Sequence, residues 1–325
     1  FMLLIFILLC LFSISLGSAH IELGVLFRSL GKALCGNLSF DSQEELIIFS
    51  VRLPRILFAG IVGAVLSIGG VVFQALLRNP LADPYILGIS GGSALGAIIG
   101  IVIGAASFSL GVPLLAFCGA LFTVFLLFIV AGGARGALMD NTLLLSGVVI
   151  NAFFAAAILF FLSIVDSLEL HSITFWLMGD LSRASLPEIG VAAFCLIVVF
   201  ILLYGQTRKL NLMVQGDETA RHLGVNIEKT KAWLLVVTSL VIAVVVSMAG
   251  IIGFVGIIVP HMMRLIFGSD HRLLLPASAL FGASFMVFAD TIARVILAPA
   301  ELPVGVITAL CGAPYFVFLL KRKGI

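Results

Sequence analysis

The chain has 325 residues, 62% of them hydrophobic and 10% charged, with a formal net charge of +2, and its mean hydropathy is +1.29. A soluble domain carries roughly 25% charged residues, so this composition excludes a water-soluble globule and makes lipid the solvent. A helical crossing takes about 20 apolar residues, which leaves room for about ten of them in an all-α, polytopic chain.

In chain order the apolar runs lie at 1–19, 52–77, 85–104, 113–133, 142–165, 188–205, 231–250, 252–268, 273–292 and 304–320. Residues 1–16 also suit the apolar part of a signal peptide, but Ser18-Ala19-His20 is a poor cleavage site. The first run therefore reads as an uncleaved helix, with a short leader missing before Phe1. An even number of crossings puts both termini on one side. With the termini cytoplasmic, twelve basic residues fall inside, among them Arg78, Arg208, Lys209, Arg264 and the tail Lys321-Arg322-Lys323, against six outside. The bias of Lys and Arg toward cytoplasmic loops favours this orientation.

Three polar stretches interrupt the pattern. Residues 20–50 and 166–187 fall outside; the latter holds Phe175-Trp176-Leu177-Met178, apolar enough to lie on the membrane or re-enter it. The third, residues 205–231, is the longest cytoplasmic loop. In it Asp217 can cap a short helix with Glu218 in its first turn, ending at Gly224, with Ala220 and Leu223 on one face. Such a short exposed helix reads either as a solvated segment resting on lipid headgroups or, preferred here, as a knob that a cytoplasmic partner grips. Two glycine patterns stand out. Gly88, Gly92, Gly96, Gly100 and Gly104 recur every four residues, a small-residue stripe that lets two helices approach closely. Gly250, Gly253 and Gly256 before Pro260 point to a tightly packed, bent helix.

The chemistry-bearing residues exclude several classes. No G-x-x-x-x-G-K-[ST] motif is present, so the chain has no P-loop for ATP. The five cysteines, Cys10, Cys35, Cys118, Cys195 and Cys311, and the five histidines show no metal-ligand spacing. All sixteen carboxylates are expected in loops or near helix ends, which weakens an ion-coupled carrier, since such carriers usually keep an ionisable group at mid-membrane. Neither an enzyme nor a metalloprotein is indicated.

Several stretches then resemble one family. They are Arg52-Leu53-Pro54-Arg55, residues 74–88 around Asn79-Pro80-Leu81-Ala82-Asp83-Pro84, and Phe175-Trp176-Leu177-Met178-Gly179. Further on come residues 210–225, Gly253-Phe254-Val255-Gly256 with Pro260-His261, Ala289-Asp290-Thr291-Ile292-Ala293-Arg294, and Glu301-Leu302-Pro303-Val304-Gly305. In order and spacing, from about residue 50 onward, they resemble the permease subunits of type II ABC importers for iron-siderophores, haem and cobalamin. The resemblance implies a single transmembrane permease domain over 1–325, in the inner (plasma) membrane. It would pair with a second copy of itself as a homodimer, over two ATP-binding cassette subunits that use ATP and Mg, with an external substrate-binding protein. The chain itself would bind no cofactor and no nucleic acid; its other partner is membrane lipid. Carried over by position, Asp217, Glu218, Thr219, Ala220, Arg221, His222, Leu223 and Gly224 form the element received by the ATPase. Arg52, Arg55 and Arg294 meet acidic residues of the binding protein, and Met139, Asp140, Asn141 and Thr142 sit at the inner gate of the path. The implied cargo is a metal chelate; a metal oxyanion such as molybdate or tungstate, carried by the same architecture, stays open.

Overall fold

The structure is a computed structural model that describes residues 1–17, 21, 23–34, 42–105, 108, 110–132, 140–182 and 185–323. Its elements, in order, are α1 (Met2–Ser15), α2 (Leu23–Leu34) and α3 (Gln43–Leu46), which runs through a π-helical stretch, Ile47–Arg52, into α4 (Leu53–Leu76). Then follow α5 (Ile89–Val102), α6 (Gly111–Gly132), α7 (Asp140–Ile164), α8 (Ser167–Met178), α9 (Leu186–Tyr204), α10 (Thr207–Val214) and α11 (Asp217–His222). The last four are α12 (Ile227–Ala249), α13 (Val255–Phe267), α14 (His271–Val295) and α15 (Val304–Lys323).

Among the described residues, six helices are long and apolar enough to cross a membrane, and α1, α5, α13 and α15 are shorter apolar helices. The ten expected apolar runs are therefore present as helices, but not all as full crossings. With 14 and 13 residues, α5 and α13 rise only about 20 Å, short of a hydrocarbon core of about 30 Å. Irregular backbone tucked into the bundle precedes α5. Ala82, Asp83, Pro84 and Leu87 before α5 are all buried. Non-helical backbone is tolerated at membrane depth only where protein covers it, and here protein does. Asp83 lies in a connection, as expected of the carboxylates, but it is buried there, with its side chain against Gly256 at the start of α13.

The central element is α4, which is buried on nearly every side and packs against α14, α13, α12 and α9. A helix that is apolar all round belongs inside such a bundle. Small residues set its closest approaches: a Cβ on Gly63 would meet the Gly282 carbonyl at 2.1 Å, and one on Gly70 the Gly256 carbonyl at 1.9 Å. The stripe on α5 works in the same way for three of its five members. A Cβ on Gly92 would lie 1.9 Å from Thr123 Oγ1, one on Gly96 2.2 Å from the Leu115 carbonyl, and one on Gly100 3.2 Å from Leu115. Gly88 and Gly104 instead flank the helix at φ +81° and +76°, the left-handed region that glycine enters without a Cβ clash. Pro260 lies inside α13, and the interruption expected between the runs 231–250 and 252–268 is present before that helix. Gly250 ends α12 with φ +73°, and α13 begins only at Val255.

Candidate functional site

Functional groups gather at the two ends of α4. At its Arg52 end, the last turn of α1, the start of α4, the end of α14 and the connection 296–303 converge. Asp290 is wholly buried and holds two guanidiniums, accepting from Arg55 Nε at Oδ1 and from Arg294 Nε at Oδ2, both at 3.0 Å. Arg294 also donates to the Leu16 carbonyl at 3.2 Å and to Ser13 Oγ at 2.7 Å. Arg52 donates to the Ile14 carbonyl at 2.5 Å. The last carbonyls of a helix have no intrahelical partner and carry the negative end of its dipole. Arg52 and Arg294 satisfy those of α1, which has no basic residue in its own last turn.

The three arginines are thus 4%, 9% and 5% exposed, for Arg52, Arg55 and Arg294. The three arginines expected to meet acidic residues of a docking protein are each engaged within this chain. Two of them are turned onto α1, and Arg55 Nη1 is covered by Glu301 Oε2 at 2.5 Å. Glu301 alone in this cluster is open to solvent, at 45%.

At the Leu76 end lies α11, with Gly216 as the N-cap and Asp217 as its first helical residue rather than its cap. Asp217 faces inward: its Oδ2 accepts from Lys231 Nζ of α12 at 2.8 Å and lies 3.6 Å from Arg78, just beyond α4. Ala220 is fully buried, whereas Leu223 is 61% exposed, because it lies at the helix end and not on the packed face. Glu218, Thr219, Arg221, His222 and Gly224 are exposed as well, and Arg221 pairs with Glu228 of α12. The segment is a projecting knob pinned at its base.

A helix that the sequence reading missed supports it. The amphipathic α10 packs against α4, α11 and α14, burying Leu210 and Met213. Its Asn211 donates to Asp270 Oδ1 at 2.7 Å and accepts from the His271 backbone N–H at 2.9 Å. Asn211 Oδ1 also lies 2.6 Å from His271 Nδ1; a carbonyl oxygen there places the ring proton on Nδ1. The Arg272 backbone N–H and the Asn211 amide hold the Asp270 carboxyl below its ordinary 3.8. A depressed carboxyl stabilises the fold fully above that ordinary value and loses its contribution as pH falls below it, so the tie holds at neutral pH.

Between the two ends, a cavity of about 470 Å³ opens beside Asp83, Tyr85, Met178, Phe254, Ile257 and Val306. Its walls carry one carboxylate and no basic side chain. The segment α8 forms part of it and is stitched into the bundle: the Trp176 carbonyl accepts from the Ile251 N–H at 3.4 Å, and the Gly179 carbonyl from the Val304 N–H at 3.2 Å. Of the residues placed at the gate, Asp140 opens α7, Asn141 and Thr142 follow it exposed, and Met139 lies outside the described residues. Among the described residues no group of three His, Cys, Asp or Glu side chains could hold a metal ion.

A family model, the FecCD transport family, matches residues 4–322. The chain belongs to that family. It is 41% identical to the hemin transport system permease protein HmuU of Yersinia pestis, over 98% of this chain and 95% of that one. It is also 41% identical to the cobalamin import system permease protein BtuC of Halobacterium salinarum, over 93% of this chain and 81% of that one. Among solved structures, one described as an inward-facing metal-chelate type ABC transporter superposes with a TM-score of 0.84 at 30% identity, covering 99% of this chain and 97% of that one. As a FecCD protein the chain is a multi-pass membrane permease of a multi-subunit ABC importer. The family resemblance read from the sequence and the all-helical permease fold are both met.

Proposed function

We propose that this FecCD permease moves a metal chelate inward, as one of two identical copies seated on two ATP-hydrolysing subunits and fed by an external substrate-binding protein. The observation that carries the reading is α11: an exposed knob whose base is tied through Asp217 to α12 and to the end of α4. A chain with no P-loop receives mechanical work only through such a grip. Movement of the knob bears directly on the two helices it is tied to, which suits a rigid-body switch between outward- and inward-open states. In this reading α11 and both termini face the cytoplasm, the arginine cluster faces outward, and Asn141 and Thr142 at the start of α7 lie by the inner gate.

The haem and cobalamin named for the relatives are bulky chelates. An apolar cavity with no basic side chain in its wall suits such a cargo better than a bare oxyanion, which needs positive charge or several donors to replace its water. The test is the paired reversal Glu218→Lys with Arg221→Glu, in the transporter reconstituted with its ATPase. Transport is expected to fall at least tenfold while ATP hydrolysis continues; normal transport per ATP would refute the grip. Metal analysis and calorimetry on the substrate-binding protein decide the cargo: a retained chelate supports this reading, and a bare oxyanion replaces it.

A further inference from the structure

We propose that Glu301 is a built-in competitor that occupies, at Arg55, the place an acidic side chain of the docking protein takes. The inference rests on the outward-facing arginine cluster and the external substrate-binding protein proposed above, and it adds where the two engage and how the site opens. Every other partner in the cluster is locked. Asp290 is wholly buried with both oxygens engaged by arginines. The donors of Arg294 go to Ser13, Leu16 and Asp290, and Arg52 is turned onto the Ile14 carbonyl. Releasing any of these uncovers a buried charge or the end of α1, which is strongly unfavourable.

Glu301 differs on each count. It stands in the helix-free stretch between α14 and α15, its side chain is 45% exposed, and it lies on the Nη1 edge of Arg55, which is 9% exposed with it in place. No carboxylate from outside reaches that edge while Glu301 is in place. The charges favour exchange over simple addition. Arg55 and Arg294 are balanced by Asp290 and Glu301, two charges of each sign. When Glu301 swings out one positive charge is uncovered, and one incoming carboxylate restores the balance. Exchanging one charge-assisted hydrogen bond for another of the same kind changes the energy little, so docking is readily reversible. Affinity at this contact is then the difference between two carboxylates and not the full strength of either.

Removing the competitor should tighten docking. In the assembled transporter in nanodiscs, with its substrate-binding protein as the probe, Glu301→Gln is expected to lower Kd about tenfold and to steepen its salt dependence, because the net positive charge facing the partner rises. Arg55→Gln is expected to weaken docking, and adding Glu301→Gln to it should bring no gain, since the two residues act at one contact. A Glu301→Gln Kd that is unchanged or higher, with Arg55→Gln still weakened, overturns the competitor and leaves the docking reading standing. An equal gain with and without Arg55 also overturns it, because Glu301 would then act as general surface charge. If neither single variant changes Kd, the docking reading falls too. Should Glu301→Gln fail to assemble, Glu301→Asp withdraws the carboxylate by one methylene and is expected to give a smaller gain; no gain from it overturns the proposal.

Discussion

Gln74 shows how one side chain repairs a defect that the sequence builds into the bundle. In an α-helix the Gly256 carbonyl would accept from the N–H four residues on, but that residue is Pro260, which has none. The Gln74 amide supplies the missing donor at 3.1 Å, and its oxygen accepts from Arg264 Nη2 at 2.9 Å. The same carbonyl sits where a Cβ on Gly70 would be, so α4 and α13 touch backbone to backbone around one polar contact. Gln74→Leu leaves a buried carbonyl without a donor and Arg264 without this acceptor, a loss of about 1–3 kcal/mol. It should appear as a lower Tm in detergent, with Gln74→Glu recovering only the Arg264 contact. An unchanged Tm for Gln74→Leu would mean that another donor reaches Gly256.

Among the elements, the close-packed face of α5 was the most legible from sequence, because a four-residue glycine repeat falls on one face of a helix by geometry alone. The partner was not legible. Nothing in the repeat says that Gly119 faces it, although a Cβ there would lie 2.1 Å from the Gly92 carbonyl. Gly96→Val drives a branched side chain into the Leu115 backbone, which cannot rotate away as a side chain does. A loss beyond the usual overpacking cost of about 1–3 kcal/mol is expected, read as lost yield or a lower Tm. Gly190→Ala on α9, where nothing lies within 4 Å, should leave both unchanged. The knob illustrates the opposite case. Its charges are visible in sequence, but α10 beneath it was missed, since eight residues, Thr207–Val214, are too few for periodicity to separate a helix from a polar loop.

On the scale of the molecule, burial is lopsided. The helix α4 is enclosed, whereas α7 and α9 leave most of their apolar surface uncovered, with Leu145, Val149 and Phe153 on α7 and Phe194, Ile197 and Ile201 on α9 among the exposed side chains. In a membrane such faces are covered by lipid or by another copy. The proposed pairing predicts a detergent-extracted complex with two copies of this chain and two ATPase subunits, read by native mass spectrometry; a single copy with full transport would refute it.

Composition alone determined that this chain lives in lipid, because no arrangement of residues 62% hydrophobic and 10% charged could present a polar surface to water. The order of local motifs then determined the family, since each motif reads from a few adjacent residues. The burial of Asp83, the choice of α6 as the partner of α5 and the fate of the arginines were decided only by tertiary structure. Arg52 meets Ile14 across 38 residues and Arg294 meets Ser13 across 281. Whether a guanidinium faces a partner or closes its own chain's first helix depends on what folding brings beside it, and no local pattern carries that information.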